Sequence, residues 1–169
     1  MNKVMRNFKV FLWIFIIFLI QTVILRHIHI LGAVPSLVMA YVVCIMIMEN
    51  EFSSAVTIST ICSFVMGALS GRDFIIMTLF YAYTSIIVFA LRKKPAYVNN
   101  GVKAAAWTFI LSAVLEIIFF LLGNGFLNVR ALIYIALPTA VINTVIAGIV
   151  YPILKRTMYK EEKKKLLIV

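Results

Sequence analysis

Charge is what this chain most lacks. Only 13% of its 169 residues are charged and 64% are hydrophobic, whereas a soluble domain carries about a quarter and about half. That balance excludes a soluble globular protein and points to an integral membrane protein. Acidic residues are scarcest, six against sixteen Lys and Arg, for a formal net charge of +10. The two cysteines, Cys44 and Cys62, fall inside apolar segments without metal-type spacing, and the two histidines, His27 and His29, fall in a loop. Such a set makes no structural zinc site, and buried free thiols are expected instead. Also missing are a Walker-type Gly-rich loop, a Ser/His pair within the membrane and a second carboxylate beside Glu116. Hydrolysis, nucleotide-driven work and proton-coupled transport are therefore hard to assemble. The expectation is a non-enzymatic protein with no cofactor and no metal. No stretch between apolar segments exceeds about a dozen residues, so a single domain is expected.

What the chain does have is six apolar segments, 10–25, 33–48, 52–70, 74–91, 104–122 and 132–154, followed by a basic tail, 155–169. A membrane-crossing helix needs about 20 apolar residues. The expected fold is an all-α integral membrane protein, a six-transmembrane-helix bundle. Lys3, Arg6 and Lys9 ahead of the first segment look like the start of a signal peptide, but no small-x-small cleavage pattern follows. That segment should stay as a helix, with Gln21 and Thr22 turned inward. The run Ala33-Val34-Pro35-Ser36-Leu37 reads as a helix start, Pro35 in the first turn and Ser36 as cap. The helix it opens is short for a span and is expected to be tilted or shielded by neighbours.

Basic residues sit at the segment ends. With an even number of spans, thirteen Lys and Arg fall on the side of the termini, and three, Arg26, Arg72 and Arg130, on the other. The positive-inside rule then places both termini in the cytoplasm. Clusters such as Arg92-Lys93-Lys94 and Lys163-Lys164-Lys165 flank apolar runs, so anionic lipid headgroups, not nucleic acid, are their expected partners.

Polar residues at helical spacing mark the faces that turn inward. Thr108, Ser112 and Glu116 follow four apart in the fifth segment, and Thr139, Asn143, Ala147 and Tyr151 do so in the sixth, with Pro138 at its head. Glu116 lies roughly 9 Å below the loop that joins these segments, and Thr139 about one residue deeper, so the two faces should meet. Glu116 is the only acid deep in any segment, a functional candidate by position. In its neutral form it could donate to Asn143 or Thr139. Ser53, Thr57, Thr60, Gly67 and Gly71 form a small-residue face on the third segment, suited to helix packing or a cavity lining. Tyr81, Thr84 and Ser85 form the polar row of the fourth. Asp73 suits a surface pair with Arg72 or a contact to an extracytoplasmic partner.

Several of these pieces occur together in one family. Gln21-Thr22, Pro35-Ser36-Leu37, Gly67-Ala68-Leu69, Leu115-Glu116, and Leu137-Pro138-Thr139 with Asn143 stand in an order and spacing that resembles the rod-shape-determining protein MreD family over essentially the whole chain. Two positions depart from that family. It often has Pro-Asp-Leu where this chain has Pro35-Ser36-Leu37, and an Asp soon after the Gly-x-Leu where this chain has Gly71, with Asp73 two residues on. The resemblance implies a subunit of the bacterial cell-elongation machinery in the cytoplasmic membrane. Such a subunit maintains cell shape by scaffolding MreC, with MreB, RodA and a penicillin-binding transpeptidase in the same complex. Glu116, Pro138, Thr139 and Asn143 would hold the last two helices in shape. MreD-like proteins are also similar in architecture to the substrate-binding membrane subunits of energy-coupling-factor transporters, which sets the alternative function.

Overall fold

A computed structural model describes residues 3–30, 33–49, 51–70, 74–91, 99–124 and 129–158. They form six α-helices: α1 (Lys3–Leu19), α2 (Leu37–Met48), α3 (Phe52–Ser70), α4 (Phe74–Leu91), α5 (Asn100–Asn124) and α6 (Val129–Met158). Among the described residues there is no strand, and the one β-like feature is the pair Ile30 and Ala33, which exchange both backbone hydrogen bonds at 2.9 Å. Two stretches, Asn100–Leu122 and Ile133–Met158, are long and apolar enough to cross a membrane. Phe8–Ile24, Leu37–Met48, Phe52–Ala68 and Ile75–Leu91 are apolar but shorter.

The helices pair by neighbour. Joined through a short connection, α5 and α6 pack antiparallel along most of their length, with Ser112 against Asn143 near the middle and Gly101 beside Tyr151 further down. A Cβ at Gly101 would lie 3.3 Å from the Tyr151 ring, so the glycine lets the helices close there. On the other side α3 and α4 form a second antiparallel pair, tied by the Ser59 hydroxyl donating to the Tyr81 carbonyl at 3.1 Å and by the Phe52 and Phe89 rings, 5.1 Å apart.

Between the two pairs runs α2. Every residue from Val38 to Ile47 is buried, and α2 touches all five other helices. A helix with no polar face can be stable only in such a position. Its shortness is thereby explained by shielding, one of the two accounts its length allows. The Cys44 thiol lies 3.9 Å from the Ala147 carbonyl and Ser36 meets Asn143, so α2 runs parallel to α6. Both cysteines are free and buried.

Several boundaries differ from the sequence reading. The basic stub belongs to α1, which starts at Lys3, and α1 gives way at Ile20 to a π-helical turn (Ile20–Ile24) and a 3-10 turn (Leu25–His27). Helix α2 starts at Leu37, not at 33: Ser36 is its N-cap, in extended conformation, with its hydroxyl accepting from the Met39 N–H at 3.3 Å, and Pro35 precedes the cap. Helix α5 starts at Asn100 because the Asn99 side chain accepts from the Gly101 N–H at 2.9 Å, so Lys103 lies in its first turn, buried, and not in a loop. At the other end α6 continues to Met158, with Lys155 and Arg156 in its last turn, where cations suit the carbonyl end of a helix.

Candidate functional site

The most polar place in the interior is the start of α2. Residues Pro35 and Ser36 are not helical, yet they sit level with Ser112 and Asn143, in the middle of the two long helices. Backbone groups at that depth need partners. Two side-chain amides supply them. Gln21 donates from Nε2 to the Pro35 carbonyl at 2.9 Å and accepts at Oε1 from the Leu37 N–H at 2.7 Å. From the opposite side, Asn143 accepts at Oδ1 from the Ser36 N–H at 2.7 Å and donates from Nδ2 to the Ser112 hydroxyl at 3.0 Å. Each amide thus uses both its donor and its acceptor.

Local backbone choices make this possible. Gln21 stands in the π-helical turn, whose wider winding is a common device for re-aiming a side chain. Proline has no N–H, so Pro35 adds one carbonyl but no donor to be satisfied. The Thr22 hydroxyl folds back on the Phe18 carbonyl at 2.8 Å.

Beside this junction is a cavity of about 360 Å³. Its lining includes the polar residues Gln21, Ser36, Ser112, Glu116, Thr139 and Asn143 together with Met39, Met66, Met77 and Tyr81. The expected meeting of the fifth and sixth segments is therefore observed: Glu116, Thr139 and Asn143 share one cavity, and Thr108, Ser112, Thr139, Asn143, Ala147 and Tyr151 are all buried. Asn143 spends its amide on Ser36 and Ser112, while the Thr139 hydroxyl donates to the Ile135 carbonyl at 2.7 Å. Pro138 is half-buried inside α6 and takes one N–H out of that helix.

The small-residue face assigned to α3 needs correction. Ser53, Thr57 and Thr60 are exposed, and the two threonine hydroxyls return to the carbonyls of Ser53 and Val56 at 2.9 Å. A hydroxyl satisfied by its own helix can face an apolar medium. The packed face is instead Ala55, Ser59, Cys62, Ser63 and Met66, and Gly67 is buried with it. On α4 the expected row is inward: Tyr81, Thr84 and Ser85 are buried. Gly71 and Asp73 lie outside the described residues.

Sequence reasoning missed three things here. It did not connect Asn143 to Ser36, a pairing across 107 residues that no local pattern encodes. Nor did it gather Met39, Met66 and Met77, which belong to three different helices. His29, exposed in the stretch after α1, borders the cavity as well. Among the described residues no group of His, Cys, Asp and Glu is arranged to hold a metal ion.

Fold and site together define an all-helical protein, with two helices able to cross a membrane and a hydrogen-bonded junction and cavity inside the helix bundle. No protein-family model matches the chain, and no curated protein or solved structure is significantly similar to it.

Proposed function

We propose that the chain is a six-span protein of the bacterial cytoplasmic membrane with both termini inside, and that it acts as an MreD-like, non-enzymatic subunit of the cell-elongation machinery. Three features support the membrane part. Large apolar side chains are exposed on every helix but α2, among them Phe11, Phe15, Phe64, Tyr83, Phe109 and Tyr134, a surface that water does not tolerate over such an area. Helices α1, α3 and α4 have 17, 19 and 18 residues, or about 26–29 Å, close to the thickness of a hydrocarbon core. At 12 residues α2 covers only about 18 Å, and the extended chain leading into it completes the crossing. The thirteen-to-three distribution of basic residues supports the orientation with both termini inside.

One observation carries the functional part. Gln21, Pro35-Ser36-Leu37 and Asn143, three separate pieces of the MreD resemblance, converge in one hydrogen-bonded cluster. Their polar atoms are spent on backbone and on one another, as befits residues that fix a shape. A subunit of fixed shape without a reactive set suits scaffolding of MreC, with MreB, RodA and a penicillin-binding transpeptidase in the same assembly. Purification from native membranes in mild detergent, with identification of what comes along, tests this. MreC and other elongation proteins are expected, and their absence from a folded preparation would refute it. The cavity favours a second reading, the substrate-binding subunit of an energy-coupling-factor-type transporter. Recovery of an ATP-binding cassette pair with a coupling subunit would select that reading.

A further inference from the structure

Helix α1 differs from the other five in what it packs with. Its buried side chains are Val10, Ile14, Ile17 and Phe18, and between Lys3 and Leu19 it has no Gly, Ala, Ser, Thr or Cys. Every other helix buries a small residue: Ala40 on α2, Ser59 on α3, Ser85 on α4, Ala104 on α5 and Ala140 on α6. In a bilayer small residues let helix backbones approach closely, whereas a large apolar side chain meets an acyl chain about as well as it meets another helix. Accordingly α1 comes near the backbones of α2 and α6 at few points, while α5 and α6 stay close along most of their length. The far end of α1 is held differently. There the Gln21 amide ties the chain to the α2 start through two hydrogen bonds. Gln21 lies in the π-helical turn, where the Leu25 N–H is shared between the carbonyls of Gln21, four residues back, and Ile20, five back. Two windings thus meet in one turn, and π-bulges are places where helices bend.

We propose that α1 is a hinged arm. Fixed at Gln21 and bending at Ile20–Ile24, it swings off its seat while the other five helices stay together, and acyl chains of the surrounding bilayer enter the slot it leaves. The chemistry of the seat selects that guest. The buried face of α1 offers no polar group, and α2 has no polar face to leave unsatisfied when the arm moves. Hydrocarbon therefore fills the slot without orphaning a hydrogen bond, whereas water or an ion would find no partner there. Such a minor state is populated at about 0.1–10%. The arm rests on the protein's spanning a membrane and is independent of what the protein assembles with.

The test uses the whole protein in nanodiscs of phosphatidylcholine carrying a diazirine on its acyl chain, followed by irradiation and peptide mapping. Exposed Phe15 and Phe64 report contact with lipid, while Leu111 on α5 and Leu154 on α6, buried like Ile14 and Ile17, report the closed core. Adducts on Ile14 and Ile17 are expected at about 1–10% of the level on Phe15, and those on Leu111 and Leu154 at least about tenfold lower still. Gln21→Leu should raise the Ile14 and Ile17 adducts severalfold and leave Leu111 and Leu154 unchanged. Gln21→Asn, with a shorter reach, serves if that variant does not fold, and adducts unmoved in a folded variant would overturn the pinning by Gln21. Ile14 and Ile17 labelled no more than Leu111 and Leu154, beside labelled Phe15 and Phe64, would overturn the arm and leave the membrane reading standing. Loss of the Phe15 and Phe64 adducts as well would refute the membrane reading, and the arm with it.

Discussion

Replacing Asn143 by alanine removes two hydrogen bonds of unequal worth. The Ser112 hydroxyl can turn to the carbonyl one helical turn back, as Thr108, Thr139 and Thr144 already do, so its loss costs little. The Ser36 N–H has no such recourse, because its residue is extended and no preceding helical turn offers a carbonyl. A buried donor left without a partner costs about 1–3 kcal/mol. Interhelical hydrogen bonds in membrane proteins average nearer 0.6 kcal/mol, but there the unpaired groups find new partners. Asn143→Ala should therefore destabilise by about 2 kcal/mol, or roughly 30-fold in the unfolding equilibrium, and Ser112→Ala by less. The protein carries its own reporter: Cys44 and Cys62 are buried, so a thiol-reactive dye in a detergent or urea titration reads opening of the core. Unfolding of Asn143→Ala within about 0.5 kcal/mol of the parent would refute the assignment, since that is the range of an uninvolved surface site. A double-mutant cycle with Gln21→Ala sharpens it. Both amides hold Pro35 to Leu37, so the pair should be non-additive by about 0.5 kcal/mol or more, and strict additivity would mean that the two clamps act independently.

The revised face of α3 predicts that Thr57→Val and Thr60→Val leave stability within about 0.5 kcal/mol, whereas Ser59→Leu overpacks the α3–α4 seam and costs about 1–3 kcal/mol, both read by the same titration. In the folded protein neither Cys44 nor Cys62 should react with a small maleimide on the timescale of a control cysteine at His27, exposed in the stretch after α1, and rapid labelling of either would contradict the central position of α2. If Glu116 has a positioning role, Glu116→Gln should keep both the protein level and cell elongation; normal protein level with lost elongation would show that the acid itself is required. Cysteines placed at Ser112 and Asn143 should crosslink, and failure would refute the pairing of α5 and α6 at that depth.

Legibility in the sequence followed the range of the interaction. The rows on α5, α6 and α4 were readable because a buried polar side chain recurring every four residues leaves few other readings, and the boundaries of α3 and α4 followed from polar turns between apolar runs. The same logic failed on α3, where Thr57 and Thr60 have the right spacing but hide their hydroxyls against their own backbone. Ser59 and Ser63, equally small and polar, turned out to face the seam. The start of α2 was misplaced by a few residues because Pro35 is compatible with a first helical turn, and only the amides of Gln21 and Asn143, from elsewhere in the chain, hold it extended. The cavity had no local signature, since its lining draws one methionine from each of three helices and its polar groups from others.

The central helix also has a consequence for biogenesis. Apolar all round but only twelve residues long, too short to cross a bilayer alone, α2 has no stable resting place of its own until its neighbours exist. Most of them are made later, and the side chain that ties down Ser36 emerges 107 residues afterwards. At roughly 5–20 residues per second, the young chain must hold that segment in some provisional arrangement for about 5–20 seconds. Among the described helices the last to be synthesised, α6, is therefore the one that fixes the start of α2, and a chain cut short before Asn143 should be degraded before it can act.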